Sequence, residues 1–156
     1  MIVVADSGPL HYLVLLGEIE LLRGYGDVRI PAAVERELLS PGAPKPVAEW
    51  IAHLPEWIRV EAVIGRDPTI GTIDSGEREA IALAFALPAQ LILLDDLAAR
   101  REARRKNLRV TGTLGILLAA AERNLINVPE VIARLNATNF YFDEILIHSL
   151  FGRWLE

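Results

Sequence analysis

Acidic side chains stand directly after two apolar stretches of this 156-residue sequence. Asp6 follows the run Ile2–Ala5, and the pair Asp95-Asp96 follows the run at residues 91–94. Carboxylate oxygens are the ligands that Mg²⁺ and Mn²⁺ prefer, and a cation relieves the repulsion between packed carboxylates. Water on such a cation is more acidic and can attack a phosphodiester. These residue types therefore point to metal-assisted hydrolysis, and the adjacent pair is the strongest local signal.

Two predicted helices offer further acids. Glu37 lies in a helix predicted over residues 31–40, and Glu77 and Glu79 lie in the first turn of a helix predicted over residues 76–87. A helix turns about 100° per residue, so Glu77 and Glu79 cannot point the same way. Both of their faces are apolar, and periodicity therefore leaves the choice between them open. Taken alone, each acid is more typical of a helix cap or a turn.

The elements that must position these acids alternate between short apolar runs and helical patterns. Strands are predicted at residues 2–5, 28–30, 57–63, 91–94 and 108–110, each followed by a helical stretch. This alternation is typical of an α/β domain with right-handed crossovers. We expect a single domain over residues 1–156, with three layers (α/β/α) and a central, mostly parallel sheet of about five strands. Ligands in such sheets collect beyond the carboxyl ends of the strands. Because Asp6 and Asp95-Asp96 both follow strand ends at this edge, we expect their two strands to be neighbours and the carboxylates to converge.

Composition excludes several classes of function. The sequence has no cysteine, so it offers no disulfide and no thiolate metal site. No apolar run approaches the ~20 residues of a membrane helix, and the apolar start is too short for a signal peptide. We therefore expect a cytoplasmic protein without a membrane partner. A net charge of −5 argues against generic, charge-driven binding of nucleic acid, but it is compatible with a carboxylate metal site.

One basic cluster follows the aspartate pair. It is either a track for RNA phosphates or a solvated helix face, and the second is more typical of charge runs. The residue nearest the pair, Arg100, is the exception. The cluster comprises Arg100, Arg101, Arg104, Arg105, Lys106 and Arg109.

The sequence lacks the motifs that mark other functional classes of α/β proteins. No glycine-rich dinucleotide fingerprint follows the first strand, and no phosphate-binding P-loop is present. A phosphoacceptor receiver domain would need a lysine after the last strand, where this chain has Thr111-Gly112-Thr113. The three histidines show no metal-ligand spacing.

The sequence resembles the PIN-domain family, and most closely its short prokaryotic DUF3368 branch. Between residues 2 and 120, the phrases that carry this resemblance are VVADSGPLHYL, IPAAVERELL, DSGEREAIALA, LILLDDLAARREARRKNL and VTGTLGILLAA. The combination of these phrases is specific, whereas each of them alone would be weak.

The resemblance implies a Mg²⁺- or Mn²⁺-dependent endoribonuclease, with a role as the toxin of a type II toxin–antitoxin pair. RNA would be the substrate, and an antitoxin protein and a second copy of the chain would be partners. By the same resemblance, the metal-binding acids fall on Asp6, Glu37, Glu79 and the Asp95-Asp96 pair, with Asp96 as the catalytic member of the pair.

Two positions depart from the family pattern. Glu79 stands where many members have aspartate, and Leu94 stands where many have a threonine near the site. Ser7 could supply a hydroxyl instead. These departures leave open an alternative function, in which a PIN fold binds RNA or protein without cutting.

Overall fold

The central sheet has five strands, all parallel, in the computed structural model, which describes residues 1–62 and 75–156. Their order across the sheet is β3-β2-β1-β4-β5. The prediction of a mostly parallel, five-stranded sheet is confirmed. The strands are β1 (Ile2–Ala5), β2 (Asp27–Pro31), β3 (Ile58–Glu61), β4 (Leu91–Leu93) and β5 (Val110–Thr111).

This strand order places a topological switch point beside β1. The chain first builds outward from β1 to β2 and β3, and then returns to the other side of β1 with β4 and β5. At such a point the connections leave the sheet in opposite directions and open a crevice at the carboxyl edge. The crevice lies between the ends of β1 and β4, where the predicted aspartates are.

Helices cover both faces of the sheet. Successive residues of β1 alternate between two cores, with Val3 and Ala5 in the larger one and Val4 in the smaller. The smaller core holds apolar residues of α4 and α5, and the larger holds those of α1, α3, α6, α7 and α8. The three-layer prediction is confirmed. The helices are α1 (Ser7–Leu16), α2 (Ala32–Leu38), α3 (Lys45–Ala52), α4 (Ser75–Ala86), α5 (Leu97–Arg105), α6 (Thr113–Glu122), α7 (Val128–Asn136) and α8 (Glu144–Leu155), with a 3-10 helix at Ile19–Tyr25.

Two helices begin earlier than the sequence predicts, for the same physical reason. Residues 6–9 are predicted as a break, yet α1 begins at Ser7 and includes Pro9. Likewise, α3 begins at Lys45 and includes Pro46, which is predicted as loop. Proline is tolerated in a first helical turn because the amide hydrogen it lacks would have no helical partner there.

The last strand begins later than predicted because α5 ends in a tight backbone motif. Asn107 adopts a left-handed conformation (φ 61°), and the Leu108 amide donates to the carbonyl of Ala103. That bond closes the helix and keeps Leu108 out of the sheet.

Some predictions fall outside the described residues. The sequence predicts a loop at residues 65–72, the end of a strand at Val63 and a helix N-cap at Asp74, and all three lie outside the described ranges. None of the helices in the two described ranges combines the length and apolar character that a membrane span requires.

Candidate active site

Asp6 lies at the carboxyl end of the central strand. β1 pairs with β4 so that Ala5 is level with Leu93, and the Asp6 amide donates to the Leu93 carbonyl at 3.0 Å. Asp6 is buried, with 4% of its surface exposed. The expected adjacency of these two strands is therefore present, and Asp6 and Asp95 follow neighbouring strand ends at the switch point.

Asp95 is held by the first residue of α6. Its Oδ1 accepts a hydrogen bond from the Thr113 amide at 2.7 Å, and its Oδ2 accepts one from the Thr113 hydroxyl, also at 2.7 Å. Burial raises the pKa of Asp95, while the two bonds from Thr113 and the charge of Arg100 act in the opposite direction. The carboxylate is thus oriented, desolvated and costly to ionise, which favours a bound cation.

Two glycines let backbone approach Asp95 closely. A Cβ atom on Gly112 would lie 2.7 Å from Asp95 Oδ1 and 3.0 Å from Nη1 of Arg100. A Cβ atom on Gly8, in the first turn of α1, would lie 3.1 Å from Asp95 Oδ2. The starts of α1 and α6 therefore enclose the carboxylate, and side chains at these two positions would crowd it.

The half-buried charge of Asp95 should cost stability when no metal is present. Because its native pKa lies above the ordinary value, the native state binds more protons than the unfolded state between those two pKa values, and the free energy of unfolding falls as pH rises through that window. Asp95→Asn removes the charge, and an amide can still accept from the Thr113 amide and donate to its hydroxyl.

In EDTA we therefore expect Asp95→Asn to melt at a higher temperature than the wild type at pH 7. The difference should shrink as the pH is lowered towards 4. Thermal unfolding followed by circular dichroism across this range measures it. A variant that melts below the wild type at pH 7 would show that the charge does not destabilise the fold.

The two members of the aspartate pair have different roles in the structure. Asp96 is exposed and caps α5, with its Oδ2 accepting from the Ala99 amide at 2.9 Å. Of the two aspartates, Asp95 is the one that accepts from Thr113 and lies against the start of α1. The catalytic prediction for Asp96 remains a prediction, and the side chain that faces the site is that of Asp95.

The glutamates are distributed around the same edge. Glu37 is exposed on α2 and lines an open cleft together with Ser7 and Gly8. Glu79 ties α4 to the start of α2, because its Oε1 accepts from the Ala33 amide at 3.2 Å. Glu77 is buried, with 9% of its surface exposed, in the first turn of α4.

Glu79 also pairs with a basic side chain, at 3.6 Å between its Oε2 and Nη2 of Arg36. Since α4 connects β3 to β4, its first turn lies at the carboxyl edge of the sheet, where Glu77 is buried. The two glutamates that periodicity could not separate therefore differ in burial.

The carboxylates of Asp6 and Asp95, after two adjacent strand ends, are of the type that a hard divalent cation prefers. In the parts of the chain that the structure describes, no three acidic or histidine side chains are grouped tightly enough to form a complete metal cage. Mg²⁺ is usually bound through one or two carboxylates, with water and substrate phosphate completing its shell. Asp6 and Asp95 match that pattern.

Thr113 is a site residue that sequence reasoning did not single out. It is fully buried, and its hydroxyl donates to Oδ2 of Asp95. The available signal was the Gly112-Thr113 phrase at a predicted helix start, one position from a strand end. Its spatial relation to Asp95 depends on β4 and β5 being neighbours, which the sequence does not give.

Arg100 is the member of the basic cluster that approaches the site. Its Nε is buried and has no hydrogen-bond partner in the described ranges, and burial lowers the pKa of its guanidinium. Arg101, Arg104 and Arg109 are exposed on the outer surface.

A five-stranded parallel sheet with carboxylates at the β1–β4 switch point defines a PIN-like, nuclease-like fold. The sequence model of the DUF3368 family, described as a PIN domain, matches residues 2–156, so the chain belongs to this family. The predicted family is confirmed.

A solved structure supports the fold. The chain is similar to a PilT N-terminus domain protein from the hyperthermophilic archaeon Sulfolobus solfataricus P2, with a TM-score of 0.56 and 21% sequence identity. The match covers 77% of this chain and 93% of the archaeal one. At this identity the similarity bears on the fold alone. A comparison with curated proteins found no significant match.

Proposed function

We propose that this protein is a metal-dependent endoribonuclease of the PIN type that uses Mg²⁺ or Mn²⁺. The observation that carries the proposal is the position of the buried Asp6 and the half-buried Asp95 after the ends of neighbouring strands, with Asp95 oriented by Thr113. Family membership supports the same chemistry. Asp6 and Asp95 would hold the cation, which supplies Lewis acidity to the scissile phosphate when bound.

The surrounding residues would orient the substrate and handle its proton. Thr113 fixes both oxygens of Asp95, so that carboxylate needs little reorganisation when charge develops beside it. Glu37 is exposed in the cleft next to Ser7 and Gly8, where it can accept a proton from an attacking water. Arg100 places a positive charge near Asp95.

The test of this proposal is RNA cleavage by the purified protein in Mn²⁺, beside an EDTA control and an Asp6→Asn variant prepared identically. We expect cleavage that disappears in both controls. Equal cleavage by the variant would reveal a contaminant, and absence of cleavage on varied RNAs would contradict the enzyme proposal.

Glu77 and Glu79 should respond differently to the same substitution. Glu77→Gln removes a buried charge at the carboxyl edge, and we expect it to lower cleavage about tenfold to a hundredfold, the usual effect of removing a group that supports a metal site. Glu79→Gln should keep cleavage within about threefold, because an amide oxygen can still accept from Ala33 and an exposed ion pair contributes little.

Steady-state cleavage rates of the two variants, each checked for an unchanged melting temperature, measure this difference. The reverse ranking would assign the site to Glu79, as the family resemblance implies.

A role as the toxin of a toxin–antitoxin pair belongs to the same proposal. The region where α8 begins exposes Tyr141, Ile145 and Leu146, an apolar surface that an antitoxin or a second copy could cover. Expression of the wild type should then arrest growth, whereas Asp6→Asn should not. Equal growth of both strains would contradict the toxin role and leave the nuclease proposal standing.

Binding of RNA or protein without cleavage is the competing function. The scarcity of grouped carboxylates favours it, since no three of them cluster within residues 1–62 and 75–156. A wild type that binds RNA equally in Mn²⁺ and EDTA, and never cuts it, would select this function.

A further inference from the structure

An open groove leads away from the carboxylates along α1. Two cavities, of about 410 Å³ and about 570 Å³, share His11, Gly42, Pro44 and Asn139 in their lining and so form one continuous depression. We call it the α1 groove. Its volume lies in the range of small-molecule and single-residue subsites.

The α1 groove begins at the candidate active site. Ser7, Gly8 and Glu37 line its first cavity, and Gly8 also packs against Asp95. Tyr12, a further lining residue, is close enough to Asp95 that the aspartate charge adds to burial in raising the pKa of its phenol. A polymer held with one phosphate at the carboxylates would therefore have its neighbouring unit in this groove.

Three side chains of the lining, those of His11, Tyr12 and Asn139, are held in place by contacts with one another and are uncharged at pH 7. The rings of His11 and Tyr12 meet edge to face, with centroids 4.6 Å apart. The Tyr12 hydroxyl donates to Oδ1 of Asn139 at 2.7 Å, which orients the amide and leaves its nitrogen available as a donor. Burial lowers the pKa of His11, so its imidazole is mainly neutral at pH 7 and offers one donor and one acceptor.

The charges along the groove favour a base over a phosphate in the first cavity. Glu37 is the charged residue in that lining, and it would repel an anion. Arg134 lines the second cavity, where its guanidinium is fixed by the Leu16 carbonyl at 3.2 Å and by Glu130 at 2.5 Å. The aromatic rings and uncharged polar groups beside Glu37 match a nucleoside better than a phosphate. Arg134, which is paired with Glu130, lies in the second cavity, where the next unit of a single strand would follow.

We propose that the α1 groove is a base-binding subsite for the nucleotide next to the scissile phosphate of a single-stranded RNA, with His11 and Asn139 determining base preference. This proposal rests on the ribonuclease function proposed above. It assigns the selection of substrate to α1 and to Asn139 in the segment between α7 and α8, rather than to the arginine-rich helix α5.

The experiment measures RNA binding separately from cleavage. Fluorescence anisotropy in EDTA follows fluorescein-labelled homopolymeric RNAs of adenosine, cytidine and uridine on the full-length protein. Loss of stacking and of one base contact in His11→Ala should weaken binding about tenfold. Asn139→Ala, at an exposed position that the fold tolerates, should change the ratio of affinities among the three RNAs.

Matched controls are His148→Ala and Asn136→Ala, which alter exposed residues outside the groove and should bind as the wild type does. Equal affinities of the two groove variants and the wild type for all three RNAs would overturn the proposal. A wild type that binds none of the three RNAs would overturn it as well. A wild type that binds through the groove yet never cuts RNA in Mn²⁺ would instead overturn the ribonuclease proposal.

Discussion

Asp95→Asn is expected to lower Mn²⁺-dependent RNA cleavage about 10²–10³-fold, the loss typical of removing one preorganised charge-stabilising group. The amide keeps the shape of the side chain and its two contacts with Thr113, so the fold should be preserved. What is lost is the negative charge that a divalent cation requires.

Asp96→Asn is the matched control for this prediction. The residue is adjacent and the chemical change is the same, but Asp96 is exposed and caps α5, and asparagine is as good a cap as aspartate. We expect Asp96→Asn to cleave within about threefold of the wild type. Single-turnover cleavage of one RNA by both variants measures the contrast. Loss of activity in Asp96→Asn alone would place the reactive carboxylate on α5 and contradict the assignment to Asp95.

Gly112→Ala is expected to damage both stability and cleavage. The backbone angle of Gly112 (φ −115°) suits any residue, so the cost is steric. The added Cβ would lie 2.7 Å from Asp95 Oδ1 and 3.1 Å from the Leu94 carbonyl oxygen, and the strand end or the carboxylate must move. Overpacking of this kind costs about 1–3 kcal/mol of stability.

The same displacement should also lower the rate of RNA cleavage. A shift of about 1 Å at a reacting group lowers rates on the order of a hundredfold, so we expect cleavage to fall by about that factor. Urea unfolding and cleavage rates measure the two effects together. Gly24→Ala is the control, since a Cβ there meets no atom within 4 Å. A Gly112→Ala protein with wild-type stability and rate would show that the close approach to Asp95 has no role.

The sequence predicts those parts of the site that depend on one β-strand at a time. Continuous apolar runs mark β1 and β4 as buried parallel strands, and the aspartates that follow them must lie at the carboxyl edge. Neighbouring positions in the sheet were an expectation that the register of Ala5 with Leu93 bears out.

What the sequence does not predict depends on side-chain direction and on contacts between distant elements. Asp95 and Asp96 are equally suited to end a strand and to cap a helix, and only the position of Thr113 separates them. Glu77 and Glu79 lie on two apolar faces of one helix, and the packing of α4 against α2 decides which of them meets Ala33. Such contacts join residues far apart in the chain, and local periodicity carries no information about them.

Mn²⁺ binding tests the central claim most directly, because it requires no knowledge of the RNA target. Electron paramagnetic resonance of free Mn²⁺ gives the affinity of the wild type and of the Asp6→Asn, Asp95→Asn and Asp96→Asn variants. If Asp6 and Asp95 hold the cation together, affinity falls at least about tenfold in each of the first two variants and is unchanged in the third. Wild-type affinity in both Asp6→Asn and Asp95→Asn would contradict a metal centre at the β1–β4 edge.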